Sequence, residues 1–360
     1  MQSRKAYAQA GVDIDLADSL LEEMKPVLKT ASRPEVLGGI GGFGGLFDLG
    51  KIKDAGRGIL VSSTDSVGTK VKVSVMADRH EGLGHDIVNH CCNDVAVTGA
   101  KPIFFLDYFA SDKLEPKSYK EILTGLANAC RAANVALIGG ETAELPGVYN
   151  KGHYDLVGAI VGLLMPEDVL TGAQIRPGDT VIGIRSSGLH TNGYSLARKV
   201  IFDKLGLGVF DTLPGFDKVV VADALLAPHT NYAKLIADTQ AKFNKAGRPS
   251  EIRDGNSFFS AAHITGSGLC GNIPRVIPEN IDIEIDTKAW EPLPIFKVLS
   301  ENSGASFDEN YEVWNMGVGM TFTVAPEAAG EILAFIRSQG FTAWPIGKAV
   351  KGTQVVHLKR

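Results

Sequence analysis

Short apolar runs alternate with segments of helical periodicity along the first half of this chain. The runs are typical of buried strands, and they cover residues 59–63, 102–108, 135–138 and 154–164. Apolar side chains recur at helical spacing in residues 85–98 and 116–133, and residues 70–76 form a further apolar stretch. Strands that alternate with helices predict an α/β domain, although not every connection need be a parallel crossover.

The alternation is preceded by a predicted helix and followed by a second block. Residues 1–37 are mostly a helix and its approaches, and Pro34 closes this segment. Residues 165–179 replace the apolar runs with proline, glycine and charge, which indicates a boundary. We therefore predict two domains, residues 1–168 and 169–360. The second contains predicted strands at 180–185, 281–285 and 320–324 and predicted helices at 194–205, 231–243 and 326–338.

Composition excludes several classes of protein. The chain has 360 residues with 44% hydrophobic side chains, which is enough apolar material for two domains. Its net charge of −5 provides no electrostatic footprint for nucleic acid. The N-terminus has no apolar segment of a signal peptide, and the longest apolar run, residues 156–165, is about half a membrane span. We expect a cytoplasmic protein whose four cysteines are reduced and mostly buried.

Residues 38–45 contain six glycines in eight positions. Gly39, Gly41 and Gly44 satisfy the dinucleotide-binding pattern, but that pattern requires a strand before it and a helix after it. The preceding segment is polar and contains proline, and no Gly-Lys-Ser/Thr follows as in a Walker A loop. We expect instead a flexible flap that places backbone N–H groups over phosphates, with a plain mobile linker as the alternative.

Three acidic residues fall near predicted strand or helix ends: Asp65, Asp94 and Glu141. Each alone could be a cap or a surface charge, but together they could form an oxygen cage for Mg²⁺ with nucleotide phosphates. Lys70, five residues after Asp65, would supply a positive charge for a phosphate. His85, His90 and two cysteines lie along one predicted helix without supporting ligands, so we do not predict a metal site there.

The polar loop at residues 186–193 stands between a predicted strand and a predicted helix. Free N–H groups at such a helix start suit an anion, and an ordinary capped helix entry is the alternative. His190 lies among small polar residues of this loop rather than on an apolar face. We therefore expect it to contact a substrate or transfer a proton, and a buried structural histidine is the competing interpretation.

These motifs belong to a longer series by which the chain resembles a known family across nearly its full length, from about Tyr7 to Gly347. The matching stretches, in family order, are YAQAGVDID, GGIGGFGG, STDSVGTK, NHCCNDVAVTGAKPIFFLDYFA, LIGGETAELPGVY, SSGLHTNGYSLARK, LLAPH, HITGSG, NIPRVIP and GVGM. The family is phosphoribosylformylglycinamidine cyclo-ligase, also called aminoimidazole ribonucleotide synthetase.

The resemblance implies an α/β (α+β) fold of two domains. The N-terminal α/β domain would bind ATP and pair in a homodimer, and the C-terminal α+β domain would complete the active site. It also implies an ATP- and Mg²⁺-dependent ring closure in de novo purine synthesis. ATP would phosphorylate the formyl amide oxygen of formylglycinamidine ribonucleotide, and nitrogen attack would then close the imidazole ring with release of phosphate.

The resemblance also assigns roles to residues. Asp65, Asp94 and Glu141 would hold the metal, and His190, Asp65 and Lys70 would be catalytic. The nucleotide would contact Gly41, Gly42, Gly44, Lys70, Asn93 and Asp94. The substrate would contact Ser187, Gly188, His190, Thr191, Asn192, Thr265, Gly266 and Gly268. Ser66 and Ser267 depart from the family pattern because glycine is usual at both positions, and residues 244–257 look like an insertion.

Related enzymes with a similar ATP-binding half are the alternatives. Selenophosphate synthetase normally has a reactive cysteine or selenocysteine near the glycine loop, and no cysteine precedes Cys91 here. The carbamoyl-dehydrating maturation protein ends in a functional cysteine, whereas this chain ends in His-Leu-Lys-Arg. Thiamine-monophosphate kinase lacks the Gly-Leu-His-Thr-Asn-Gly pattern in this form. A non-catalytic nucleotide-binding regulator could lose Asp65, Asp94 or His190, and all three are present.

Overall fold

The computed structural model describes residues 14–37, 46–53, 55–245 and 252–360. The helices are α1 (Ile14–Lys29), α2 (Lys70–Ala77), α3 (Glu81–Ala96), α4 (Pro116–Ala133), α5 (Tyr194–Arg198), α6 (Val221–Leu226), α7 (Ala233–Phe243), α8 (Gly268–Asn272), α9 (Pro294–Ser303), α10 (Phe307–Val313) and α11 (Ala329–Ser338). The strands are β1 (Val36–Leu37), β2 (Leu46–Phe47), β3 (Ile59–Ser66), β4 (Lys101–Ser111), β5 (Ala136–Glu144), β6 (Tyr154–Leu164), β7 (Thr180–Arg185), β8 (Thr212–Leu213), β9 (Phe216–Val220), β10 (Phe258–His263), β11 (Ile281–Asp286), β12 (Val318–Val324), β13 (Ala343–Lys351) and β14 (Val356–Lys359).

Two larger sheets organise the chain. The first has the order β3-β6-β4-β5, with only β4 and β5 parallel. The second has the order β10-β12-β7-β13-β11-β14 and is antiparallel except for the β11–β14 pair. One continuous apolar cluster contains buried side chains of both sheets, so the predicted division at residue 168 stays a prediction.

Helices α3 and α4 cover one face of the first sheet. The predicted helix at 116–133 is confirmed, and its buried positions, Tyr119, Ile122 and Leu126, follow the helical period. The two helices cross where glycines meet. A side chain on Gly84 would lie 2.4 Å from the backbone nitrogen of Leu126, and one on Gly125 would lie 2.0 Å from the carbonyl oxygen of Glu81. These glycines therefore set the close approach of the helices that carry and support the site.

Several predicted boundaries were wrong in ways that affect function. Strand β3 continues to Ser66, so Asp65 lies within the strand rather than after it. Strand β5 continues through Glu144, so Glu141 is also a strand residue. The predicted helix at 194–205 is a short α-helix followed by a π-helical turn, Lys199–Lys204. Ladder hydrogen bonds to β6 and β4 keep the two acidic strands extended beyond their apolar residues.

The cysteines are all free, as predicted, and three of them are buried. No helix in the described ranges is both long enough and apolar enough to span a membrane.

Asp107 on β4 provides a test of how this sheet tolerates a buried carboxyl group. Burial raises the pKa of Asp107 to about 7. An acid whose pKa is raised by folding from about 3.9 destabilises the folded chain as it ionises, so stability should fall between about pH 4 and about pH 7. We expect Asp107→Asn to raise the free energy of unfolding by up to about 4 kcal/mol at about pH 8, since each pKa unit is worth about 1.4 kcal/mol, and by little at about pH 4.

Urea unfolding at several pH values measures this effect. Asp112→Asn, just beyond the end of the same strand, serves as the matched control for replacing a carboxyl group by an amide. If Asp107→Asn has the same pH dependence as Asp112→Asn, Asp107 does not ionise as proposed.

Candidate functional site

Two predicted carboxylates, Asp65 and Asp94, meet at the edge of the first sheet. Asp65 points from β3 towards the helices, and Asp94 lies in the last turn of α3. The hydroxyl of Ser63 donates to Oδ2 of Asp94 at 3.2 Å. The Asp65 side chain is 42% exposed and that of Asp94 is 26% exposed. Solvent and ions therefore reach both carboxylates.

The side chain of His90 lies between these carboxylates. Its Nε2 is 2.8 Å from Oδ2 of Asp65 and 3.4 Å from Oδ2 of Asp94, while its Nδ1 is 2.8 Å from Oγ1 of Thr191. Burial opposes the positive charge, but the two carboxylates outweigh it and raise the pKa of His90 to about 9. No role was predicted for His90 from the sequence, because it was considered only with His85 and the cysteines of its helix; its i, i+4 spacing from Asp94 places the two on one helix face.

Asp94 contacts a second imidazole from the other sheet. Nδ1 of His263, the last residue of β10, is 2.7 Å from Oδ1 of Asp94. Burial raises the pKa of Asp94, but the hydrogen bonds from His263 and His90 dominate and hold it far below its usual range. Asp65 is held low in the same way by His90. Both carboxylates are therefore ionised at neutral pH.

Two further histidines, His229 and His190, lie behind His263 in the interior of the protein. Nε2 of His229 lies 2.9 Å from Nε2 of His263, and the ring of His190 stacks on that of His229 with centroids 3.9 Å apart. Because His263 donates from Nδ1 to Asp94, its neutral form accepts at Nε2, and His229 is then the donor. Nδ1 of His229 and Nδ1 of His190 have no hydrogen-bond partner among the described residues. No sequence pattern joins His229 and His263 to His190, because the three histidines come from separate segments.

His190 is fully buried, although it lies in a loop of small polar residues. Its backbone adopts the left-handed conformation, with φ of 60°, and its Nε2 accepts from the backbone N–H of Ser187 at 3.2 Å. Burial lowers the pKa of His190 well below its ordinary value. The competing interpretation of a buried structural histidine fits this environment better than direct contact with a substrate.

Lys70 is also buried, so the structure does not place it as a free cation beside a phosphate. Its Nζ is 2.7 Å from Oδ2 of Asp86 and donates to the carbonyl oxygens of His190 and Ala227 at 3.0 and 2.9 Å. Neither side chain of the ion pair is exposed. Burial lowers the pKa of Lys70 and raises that of Asp86, and their mutual attraction opposes both shifts. The lysine thus ties α2 and α3 to the segments that carry His190 and His229.

The side chain of Asn93, which was expected to contact the nucleotide, is hydrogen-bonded to backbone groups within the chain. Its side chain donates to the carbonyl oxygen of Thr230 at 2.9 Å and accepts from the backbone N–H of Tyr232 at 2.7 Å. The residue is fully buried at the junction of α3 with the segment before α7.

Glu141 does not join Asp65 within one chain. Asp65 pairs with Gly158, Gly158 with Asp107, and Asp107 with Gly140, so all four residues point to the helix-covered face. Glu141 follows Gly140 and therefore points to the opposite face. Three strand spacings also separate it from Asp65, which amounts to about 14 Å. The predicted cage of three carboxylates is wrong for a single chain, because strand register sends Glu141 away from the other two.

The two predicted substrate loops lie next to each other. A side chain on Gly266 would lie 3.3 Å from Oδ1 of Asn192, so the loop at 265–268 contacts the loop at 187–192. Nδ2 of Asn272 donates to the carbonyl oxygens of Gly266 and Gly268 and fixes the second loop. Ser267, where the family usually has glycine, has φ of 73°. A serine in this left-handed conformation costs roughly 1 kcal/mol, a cost that glycine would avoid.

The remaining residues predicted to contact substrate or nucleotide lie in these loops and in the glycine cluster at residues 38–45. The hydroxyl of Ser187 donates to the carbonyl oxygen of Pro228, and Oγ1 of Thr265 donates to Asn272 at 3.2 Å. The carbonyl oxygen of Gly188 accepts from Nδ2 of Asn315 at 2.9 Å. Gly41, Gly42 and Gly44 lie outside the described residues.

Two family models match successive parts of this chain. Residues 48–164 match the family described as AIR synthase related protein, N-terminal domain, and residues 176–359 match its C-terminal domain. A phosphoribosylformylglycinamidine cyclo-ligase from Geotalea uraniireducens is 43% identical over 360 residues, which cover 99% of each chain. One from Geobacillus thermodenitrificans is 43% identical over 351 residues, covering 98% of this chain and 97% of the relative.

Solved structures of lower identity share the fold. A thiamine-monophosphate kinase from Stenotrophomonas maltophilia superposes with a TM-score of 0.65 at 18% identity, over 94% of this chain and 95% of that chain. HypE, a hydrogenase maturation protein of E. coli, has a TM-score of 0.64 at 21% identity, over 95% of this chain and 92% of that chain. At these identities the similarity establishes a common two-domain α/β architecture.

Proposed function

The chain belongs to the AIR synthase family, and from this premise we propose that its site closes the imidazole ring of formylglycinamidine ribonucleotide at the expense of ATP. The enzyme is an ATP-dependent cyclo-ligase of de novo purine biosynthesis, and its products are aminoimidazole ribonucleotide, ADP and phosphate. The observation that carries this function is the 43% identity to a cyclo-ligase over 99% of both chains.

The reaction requires neutralisation of charge around the transferred phosphoryl group. Asp65 and Asp94 suit a Mg²⁺ ion that bridges to nucleotide phosphates, because both are ionised, partly exposed and adjacent to the same imidazole. The ion would supply positive charge to the phosphoryl oxygens when it is bound. The glycine cluster at 38–45, including Gly41, Gly42 and Gly44, remains our prediction for the cover of the phosphates.

The adjacent loops at 187–192 and 265–268 are our proposed binding surface for the ribonucleotide. Asn192 lies beside Gly266, and the chain can approach a ligand closely where it has no side chain. A side chain on Gly268 would collide with the carbonyl oxygen of Tyr311 at 1.7 Å, so that position accepts only glycine. Binding both ends of one flexible substrate here would align the attacking nitrogen with the activated carbon.

His190 and Lys70 are positioning residues in this proposal. Nε2 of His190 accepts a hydrogen bond from the backbone N–H of Ser187, and Nζ of Lys70 donates one to the carbonyl oxygen of His190. Both contacts keep the substrate loop in one conformation behind the carboxylates. This revises the catalytic roles that the sequence resemblance implies for them.

A second copy of this chain is our proposed cover for the other face of the first sheet. We call this surface the open face and define it by Thr64, Leu106, Tyr108, Glu141, Val157 and Ala159. These residues are partly or largely exposed although most are apolar. Glu141 belongs to this surface, so in a homodimer it would lie at the interface. A cytoplasmic location, where ATP is supplied, belongs to the same proposal.

Leu106→Lys tests the homodimer. A lysine at the centre of the open face would leave a buried, unpaired charge in a dimer, so we expect mainly monomers at micromolar concentration. Light scattering after size-exclusion chromatography measures the mass. Phe210→Lys, at an apolar side chain that is 68% exposed elsewhere, should leave the mass unchanged. A dimer that survives Leu106→Lys, or a wild-type monomer, would contradict the proposed interface.

Incubation with formylglycinamidine ribonucleotide, ATP and Mg²⁺ tests the function itself. Aminoimidazole is read by diazo coupling and ADP is measured in parallel, and we expect equal amounts of both. ADP without aminoimidazole would indicate a phosphotransferase such as a thiamine-monophosphate kinase.

A further inference from the structure

The side chains around Asp94 include two imidazoles as well as carboxylates. One ligand atom from each of His90, Asp94 and His263 can be chosen so that all three lie within 4.8 Å of one another. Oδ2 of Asp65 is a further oxygen, 2.8 Å from Nε2 of His90. Both imidazoles are only 3% exposed, whereas the carboxylates face solvent. An ion would thus enter past the carboxylates and meet nitrogen ligands behind them.

This set of ligands differs from what Mg²⁺ prefers. Mg²⁺ takes oxygen ligands and keeps several waters, whereas imidazole nitrogen suits Zn²⁺, Co²⁺ and other transition-metal ions. Two imidazoles and one or two carboxylates, with a remaining position open to solvent, resemble the donor sets of zinc sites that keep a water. A common ion would replace the protons now shared between these nitrogen and oxygen atoms, which lie within 4.8 Å of one another for His90, Asp94 and His263.

Each imidazole already has a partner for the nitrogen that would not bind the ion. Nδ1 of His90 is 2.8 Å from Oγ1 of Thr191, which leaves Nε2 directed at the carboxylates. Nε2 of His263 is 2.9 Å from Nε2 of His229. An ion on Nδ1 of His263 would move its proton to Nε2, and His229 can accept it because its own Nδ1 is uncommitted among the described residues. Outer partners of this kind orient metal-binding histidines in proteins.

We propose that His90, Asp94 and His263 bind a transition-metal dication such as Zn²⁺ or Co²⁺, with Asp65 as a further ligand, in the absence of nucleotide. The inference rests on the proposed function in one respect: Asp65 and Asp94 would bind this ion in the absence of nucleotide and the Mg²⁺–nucleotide complex in its presence. Mg²⁺ would need the phosphates of ATP to be held there, whereas Zn²⁺ would be retained by the chain alone.

Metal binding to the full chain tests this proposal without reference to turnover. The chain is stripped with EDTA, loaded with Zn²⁺, passed through a desalting column and assayed for metal, and Co²⁺ loading is followed by its visible absorption. We expect about one Zn²⁺ per chain and Co²⁺ bands that indicate nitrogen ligands. His90→Leu and His263→Leu should each weaken Zn²⁺ binding by about 100-fold or more.

His85→Leu is the matched control, because His85 lies on the same helix with a side chain that is 30% exposed. It should bind Zn²⁺ as the wild type does. His90→Gln provides a second variant that retains hydrogen-bonding capacity beside Thr191 if His90→Leu does not fold, as judged by circular dichroism. Zn²⁺ at background level in the wild type, or wild-type affinity in a folded His90 variant, would overturn the proposal.

Turnover with Mg²⁺ and ATP is measured on the stripped chain in parallel. Ring closure without Zn²⁺ binding would refute only the metal inference. Zn²⁺ binding without ring closure would refute the proposed function and leave this site in place.

Discussion

Asp65→Asn is expected to lower kcat/KM for ring closure by about 10³-fold, the size of loss seen when one preorganised group that stabilises transition-state charge is removed. The amide has the shape of the carboxylate but lacks the charge that would hold Mg²⁺ against the phosphates. Because the Asp65 side chain is 42% exposed at the sheet edge, the fold should be retained. Coupled measurement of aminoimidazole and ADP at saturating and limiting ATP gives both kinetic constants, with circular dichroism as the check on folding.

Asp78→Asn is the appropriate comparison for this variant. Asp78 is a carboxylate 70% exposed just after α2, where it pairs with Lys117. Its loss should change kcat/KM by less than about twofold, since surface pairs contribute little. Near-normal turnover in folded Asp65→Asn would remove Asp65 from the proposed metal site, whatever the effect at Asp78.

Lys70→Met is expected to destabilise the chain by about 3–5 kcal/mol, which is the cost of breaking a buried ion pair by removing one partner. The substitution would leave Asp86 buried without its cation and would remove the donor to the carbonyl oxygens of His190 and Ala227. Urea unfolding gives the free energy. Turnover should fall as well, because the loop that carries His190 would lose its anchor.

Lys72→Met, two residues further along the same helix, should change stability by no more than about 0.5 kcal/mol because its side chain is not part of a buried pair. The double variant Lys70→Met/Asp86→Leu should recover much of the stability lost in the single variant, since it removes both buried charges. If Lys70→Met unfolds like the wild type but binds ATP far more weakly, Lys70 contacts phosphate after all. That result would restore the role implied by the family resemblance.

Local patterns predicted the regular elements well where periodicity was unambiguous. The helix at 116–133 and the strands at 154–164 and 180–185 occur with the predicted bounds. The bounds of β3 and β5 were wrong because their polar ends are held by pairing with strands distant in the sequence. Such ends have no apolar pattern of their own, so only the partner strands reveal them.

The sequence by itself determined the family and the two-domain α/β class, and it identified the two acidic residues of the proposed site, because ordered motifs span the whole chain. Only the tertiary structure decided which way those residues point. Strand register places Glu141 on the open face, and Lys70 and His190 are buried and make hydrogen bonds within the chain. The tertiary structure also brings His263 to Asp94, although 169 positions separate them. The direction in which a side chain points, and its burial, depend on strand pairing between residues distant in the sequence, and no local pattern encodes that pairing.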